Sequence, residues 1–235
     1  MPSLVEICGH TFYLPALNAG STVIDLGAST AAFSAGVTAL AGCTCRCAEA
    51  APRNFAAIAE TPHLTKHFCA LGGIDGLVTL HIPDDEFHWG SVDAPAGFVV
   101  TETVEVPGRT LDTLLAEIGV DRVDLLKVDI EGAEIAMFDA ASDATLQSCA
   151  QITVEFHDFM DPGQAADVAR VVRRLEGLGF DTVVFTRRHH GDVLFLDRRK
   201  LGLGGLDVLW FRTLVKYGRG LKRMIGRFVS AERAA

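Results

Sequence analysis

Basic side chains are scarce over most of this chain. Residues 1–197 carry 11 Lys/Arg against 28 Asp/Glu, a balance of −17, whereas residues 198–235 carry 10 against 2, a balance of +8. The formal charge of −9 therefore hides an acidic body and a basic tail, and the body lacks the cationic surface that a nucleic-acid enzyme needs. Cysteine is also sparse, six in 235 residues, which excludes a disulfide-stapled scaffold. Cys43, Cys45 and Cys47 alternate along one extended run, where same-face sulfurs lie about 6–7 Å apart and converge poorly on one ion. They read as small buried strand residues in a reducing cytoplasm. No stretch reaches the roughly 18–20 apolar residues of a membrane-spanning helix. Met1 to Leu17 is interrupted by Glu6, His10 and Pro15, so no secretory leader is expected and the chain reads as cytoplasmic. There is no G-x-G-x-x-G, no P-loop lysine, no internal repeat and no linker that marks a second domain.

What is present is an alternation of short β-branched runs with helical stretches, the pattern of a mostly parallel sheet with helices on both faces. Thr22 to Leu26 reads as a buried strand, followed by a small-residue turn and a helix from about Ala31 to Ala41. Thr44 to Glu49 is the next strand, and Pro52 opens a helix carrying Asn54 to Glu60. A short strand around His67 to Leu71 precedes a turn at Ile74 to Leu77 and the alternating run to His81, which together suggest a hairpin insert. Pro83 to Pro107 reads as loop with strand fragments. Thr110 is the expected N-cap of a helix to Ile118, and Val123 to Val128 is a strand followed by a helix from Ala133 to Ala141. Ile152 to Phe156, a helix from Ala165 to Leu178, and an antiparallel pair at Val183 to Phe185 and Val193 to Phe195 complete the body.

Ligands of an open α/β sheet bind at the carboxyl ends of its strands. Asp25, Gly27, Ala28 and Ser29 occupy the first such end, with residues small enough for a ligand to approach the backbone. Glu49 ends the next strand, 24 residues after Asp25, where a nucleoside-binding fold places an acid that accepts both hydroxyls of a ribose.

These residues resemble the FkbM-type methyltransferases. The resemblance rests on Val23-Ile24-Asp25-Leu26-Gly27-Ala28, on Glu49 with Pro52 and Asn54, on Leu125 to Glu134 with its Lys-Val-Asp-Ile-Glu-Gly-Ala-Glu block, and on Val154-Glu155-Phe156-His157. It covers about residues 20–197. It implies a Rossmann-like class I sheet of seven strands with the last reversed, and methyl transfer from S-adenosylmethionine to a hydroxyl of a polyketide-like secondary metabolite or a sugar. The expected cofactor contacts are Asp25, Gly27, Ala28, Ser29, Glu49, Asn54, Ala70, Leu71 and Asp129. The chain departs from the family in having Ser29 and Ala31 where the first motif usually continues Asn-x-Gly, so Ala31 adds a methyl group where close approach is expected.

Removal of the acceptor proton calls for a base. Asp129, Glu131, Glu155 and His157 compete for the role. Asp129 and His157 are the leading pair, because His157 titrates near neutrality and Asp129 beside Glu131 is expected to have a raised pKa. Alternatively, Asp129 with Glu155 or His157 holds a divalent cation such as magnesium that polarises the acceptor. Lys127, inside an apolar strand, is expected to snorkel or to pair with a carboxylate. Trp89, with Phe87 and His88, is a candidate lining of the acceptor pocket, and His189-His190 reads as an exposed turn. A domain over residues 1–205 is expected to end in a basic amphipathic tail, 206–235. Leu214, Tyr217, Leu221, Met224 or Ile225, and Phe228 recur there at helical spacing, opposite Lys216, Arg219, Lys222, Arg223 and Arg227. The tail packs on its own acidic body or a second subunit, binds an anionic membrane surface, or contacts nucleic acid. The rival to an enzyme is a non-catalytic methyltransferase-fold protein, binding or membrane-attached.

Overall fold

The computed structural model describes residues 3–83, 90–92, 99–159, 162–186 and 189–215. In chain order the strands are β1 (Leu4–Ile7), β2 (His10–Tyr13), β3 (Thr22–Leu26), β4 (Thr44–Glu49), β5 (Leu64–Phe68), β6 (Ala70–Leu71), β7 (Gly76–Pro83), β8 (Val100–Arg109), β9 (Leu125–Val128), β10 (Gln151–Val154), β11 (Asp181–Val184) and β12 (Val193–Leu196). The helices are α1 (Ala32–Ala41), α2 (Pro52–Ala57), α3 (Leu111–Glu117), α4 (Glu134–Ala140), α5 (Asp143–Ser148), α6 (Ala165–Gly177), α7 (Arg198–Leu201) and α8 (Gly205–Trp210).

Seven strands form the main sheet in the order β11-β12-β10-β9-β3-β4-β5. Neighbours from β10 to β5 are parallel, while β12 runs antiparallel to both β10 and β11. This is the expected mostly parallel sheet with its last strand reversed. Both faces are covered because successive strand residues alternate sides. Ile24, Leu26, Leu126, Val128, Ile152 and Val154 join one cluster with α3, α4 and α6. Val23, Leu125, Cys45 and Cys47 join another with Phe12, Phe33 and Val37. The alternating cysteines are thus buried and free, and Cys47 donates its thiol to Ser34 Oγ at 3.2 Å.

Several elements differ from the sequence reading. The strand around His67 splits at Cys69, with β5 ending the main sheet and β6 joining a small sheet of order β6-β8-β7. The stretch from Pro83 to Pro107, expected as loop with strand fragments, holds most of the ten-residue β8, which pairs with β7 from Val100 to Gly108. Pro107 faces Leu77 on one side while β6 meets β8 only from Gly108 onward, so its missing N–H sits where no strand pairs. The hairpin β1–β2 was not read, because its strands are four residues each and its turn is Cys8-Gly9, both at positive φ. The short helix α5 was also missed, although Ser142 caps it by accepting from Thr145 N. Thr110 caps α3 as expected. Residues 84–89, with Phe87, His88 and Trp89, and residues 216–235 of the tail lie outside the described residues. Within 205–215, Val208 and Phe211 are buried against Leu194, Leu196 and Val183, while Leu206 and Leu209 are 81% and 55% exposed. No described helix is long and apolar enough to cross a membrane.

Gly27 fixes the spacing of the central strand ends. It follows β3 at φ +71°, and a Cβ there would lie 1.7 Å from the carbonyl oxygen of Asp129, just after β9. Gly27→Ala is therefore expected to destabilise the fold by at least about 3 kcal/mol in urea unfolding, from left-handed strain and a backbone clash together. A loss below about 1 kcal/mol would show that the two chain segments can separate.

Candidate active site

A cavity of about 340 Å³ opens at the carboxyl ends of β3, β4 and β9. Gly27 and Ser29 form one edge, Glu49, Ala50 and Asn54 another, and Asp129, Ile130 and Glu131 a third. Cys69, Ala70 and Leu71 add an apolar wall, and Leu80, Gly90 and Val92 of the small sheet and its loop cover it. Ser91 Oγ donates to the Glu131 carbonyl at 2.7 Å, which tethers that cover to the turn after β9.

Glu49 is fixed by two backbone donors, Ser29 N to Oε2 and Ala51 N to Oε1, each at 2.7 Å. Burial nevertheless raises its pKa above the usual carboxylate value. Each oxygen retains one lone pair for a further donor. Ser29 and Ala31 both adopt left-handed backbone, φ +51° and +62°, the conformation that Asn and Gly tolerate best. The Ala31 methyl group, expected to crowd a ligand, instead packs into the cluster with Phe33 and Val37 and does not line the cavity.

Two expected cofactor contacts do not line the cavity. Ala28 is buried in that same cluster. Asp25 is fully buried behind the cavity, accepting from Ser34 Oγ at 2.7 Å and pairing with Lys127 Nζ at 3.2 Å. Lys127, as expected for a cation in an apolar strand, pairs with carboxylates. It sits 3.4 Å from Asp129 Oδ2 and donates to the carbonyl of Gly27 at 2.6 Å. Burial alone lowers a lysine pKa, but Asp25 and Asp129 outweigh it and hold Lys127 above its usual range.

The protonation pattern differs from the sequence expectation. Asp129 was expected to have a raised pKa beside Glu131. Burial does act in that direction, but Lys127 and a hydrogen bond from His10 overcome it and hold Asp129 far below the usual carboxylate range. His157 was expected to titrate near neutrality. Burial lowers its pKa, yet hydrogen bonds with Glu131 and Glu134 prevail and push it up to about 11. Its Nε2 lies 3.2 Å from Glu131 Oε2 and its Nδ1 2.9 Å from Glu134 Oε1. His157 is therefore an imidazolium at neutral pH, without a lone pair for a proton or a metal. Glu155 behaves oppositely: burial and the nearby Asp129 raise its pKa.

Glu134 organises the Asp-Ile-Glu-Gly turn. Its Oε1 accepts from Ile130 N at 3.1 Å and Gly132 N at 3.2 Å, besides the His157 contact. This stabilises Glu131 at φ +53° and Gly132 at φ +99°. Both expected pairings for a metal, Asp129 with Glu155 and Asp129 with His157, come together among the described residues, each with a third group beside it. Ligand atoms gather as His10, Asp129 and Glu155, and as Asp129, Glu131 and His157, each set within 4.8 Å. Lys127 and His10 already share Asp129 Oδ2, so a cation at either set would compete with them for that oxygen.

His190 is not a free turn residue. Its N and Nδ1 meet both oxygens of Asp158, at 2.9 and 2.7 Å. Phe159, 45% exposed, has its ring centroid 5.4 Å from that of His157 and 5.4 Å from that of His189. The most consequential residue that sequence reasoning missed is His10, whose Nε2 lies 3.2 Å from Asp129 Oδ2 across 119 residues of chain. No local pattern signals such a contact.

The sequence pattern described as the methyltransferase FkbM domain matches residues 25–182. The chain belongs to the FkbM methyltransferase family. A solved FkbM methyltransferase from Methylobacillus flagellatus KT superposes with a TM-score of 0.51 at 15% identity, covering 77% of this chain and 44% of that one. A precorrin-6y C5,15-methyltransferase from Geobacter metallireducens GS-15 gives a TM-score of 0.41 at 13% identity, covering 77% and 82%. The antimetabolite synthetase AmbE of Pseudomonas aeruginosa is 34% identical over 76 residues, 32% of this chain and 4% of that protein. The chain thus spans less than half of the solved FkbM structure and a small fraction of the curated relative. The Rossmann-like class I fold follows from the FkbM likeness together with the strand order.

The charge on His157 has a pH signature. Its folded pKa stands above the ordinary 6.5, so its contribution to stability is complete below about pH 6.5 and is lost as pH rises through about 11. The stability difference between wild type and His157→Gln, from urea unfolding, is expected to be largest near pH 6 and to shrink steadily toward pH 11. A difference that is flat over this range would show that His157 is neutral in the folded protein.

Proposed function

We propose that the chain is an S-adenosylmethionine-dependent O-methyltransferase acting on a hydroxyl of a small molecule, of the polyketide or sugar type. The observation that carries this reading is the pairing of Glu49 and Asp129 on opposite edges of one cavity at the strand ends. The donor set fits the cofactor. Glu49 is held rigid by two N–H groups with a lone pair left on each oxygen, which suits a vicinal diol. Ala70 and Leu71 would give an apolar wall for a planar base, and anionic Asp129 lines the same cavity, where it would suit a cationic sulfonium. When bound, S-adenosylmethionine supplies an electrophilic methyl group.

The chain's own task is to align the acceptor and remove its proton. Asp129 is too weak a base, and His157 carries its proton already. Glu155, beside Asp129 and with its pKa raised by burial, is the base in this reading. His157, between Glu131 and Glu134, keeps the turn after β9 in place.

Calorimetry with S-adenosylhomocysteine tests the cofactor assignment. Glu49→Gln is expected to weaken binding by at least about tenfold, since a neutral amide accepts the diol poorly; unchanged affinity would remove Glu49 from the site. For the base, an acceptor found by incubating metabolite extracts with labelled S-adenosylmethionine provides the assay. Glu155→Gln is expected to lower kcat about 10²-fold or more while leaving S-adenosylhomocysteine affinity intact. A normal kcat would return the role to another group.

A further inference from the structure

We infer that His10, on the amino-terminal hairpin outside the family-matched segment, is a positioning residue that aims the Asp129 carboxylate at the sulfonium. This rests on the proposed S-adenosylmethionine site and adds to it a residue that neither the motif nor the family match contains.

The hairpin is placed by polar attachments that leave little freedom. Thr11 donates twice to Asp192, from N to Oδ1 at 3.1 Å and from Oγ1 to Oδ2 at 2.8 Å. Two residues further on, Tyr13 N donates to Gln151 Oε1 at 2.8 Å, and Gln151 Nε2 donates to the Tyr13 carbonyl at 3.2 Å. These contacts fix β2 against β10 and the start of β12. Phe12 adds an edge contact to Phe33, 5.7 Å between ring centroids. Held this way, His10 is 1% exposed, with its ring edge-on to Phe33 at 5.7 Å and its Nε2 directed at Asp129 Oδ2.

A carboxylate only accepts, so the hydrogen of this contact is carried by Nε2. Nδ1 is buried and has no hydrogen-bond partner among the described residues. An orphaned buried nitrogen is costly, and the surrounding Phe12 and Phe33 would accept an aromatic hydrocarbon at the same place. His10 is therefore a poor choice for stability alone. Its N–H accounts for the residue. Together with Lys127 it meets Oδ2, while Oδ1 lies 3.9 Å from His157 Nε2. That orientation is set before the ligand arrives, so the anion does not have to reorganise.

S-adenosylmethionine and S-adenosylhomocysteine differ by the methyl group and its positive charge, so the ratio of their affinities reads the aim of Asp129. A general disturbance of the fold weakens both alike. Calorimetry on the full chain with both ligands, alongside melting temperatures, compares wild type, His10→Phe and His10→Gln. The Phe variant is expected to lose relative affinity for the sulfonium by about three- to tenfold, a part of the worth of one hydrogen bond to a charged group, and its melting temperature shows that it is folded. The Gln variant, which can place an amide N–H near the position of Nε2, is expected to keep the ratio within about twofold. A Phe variant with an unchanged or increased preference for S-adenosylmethionine, or a Gln variant that loses it as the Phe variant does, would overturn the inference alone. A folded wild type that binds neither ligand would overturn the cofactor reading and the inference with it.

Discussion

A single buried ammonium joins the two strand ends on which the site depends. Lys127 lies inside β9, closed off from water, between Asp25 of β3 and Asp129, with the carbonyls of Leu26 and Gly27 completing its contacts. Taking two carboxylates and a lysine out of water is expensive unless each is paired, and here the pairing also sets the separation of β3 from β9. Gly27 lets the backbones approach there, and Lys127 supplies the charge that makes the approach stable. Removing the lysine would leave two buried carboxylates facing each other at the cavity floor.

From this pair the electrostatics of the whole acid cluster follow. Asp129 is held anionic by Lys127 and His10, and its charge in turn helps to raise the pKa of Glu155. Across the turn, Glu131 and Glu134 hold a proton on His157. Four ionisable groups that look interchangeable along the chain therefore have three different states at neutral pH: a fixed anion, a fixed cation flanked by its counter-ions, and one carboxyl displaced toward neutrality. The separation of acid and base roles depends on such divergence between neighbours.

Much of the scaffold was legible because its signals are local. Strand β4 and the cap of α3 by Thr110 were read residue for residue, since an apolar run ending at an acid and a Thr before a helical period need no distant partner. Ala31 was legible as a departure but not in its consequence, because only the left-handed turn reveals that its methyl group points into the core. The protonation states were misjudged for a related reason. Glu131 is next but one to Asp129 in sequence and suggested repulsion, whereas the groups that decide the outcome are Lys127, two residues earlier on the same face, and His10, 119 residues away. The two additions to the central fold, the β1–β2 hairpin and the β6–β8–β7 sheet, had weak signals of their own. Four-residue strands leave little periodicity to read, and β8 lies mostly within a proline-bearing stretch that showed only strand fragments.

In the proposed function the methyl donor binds in one cavity, between Glu49 and Asp129. A crystal structure of the full chain with S-adenosylhomocysteine tests this most directly. The predicted result is a ribose whose two hydroxyls meet the Glu49 carboxylate, an adenine against Ala70 and Leu71, and a sulfur directed toward the Asp129 side of the cavity. Ligand density elsewhere, or a ribose turned away from Glu49, would contradict it.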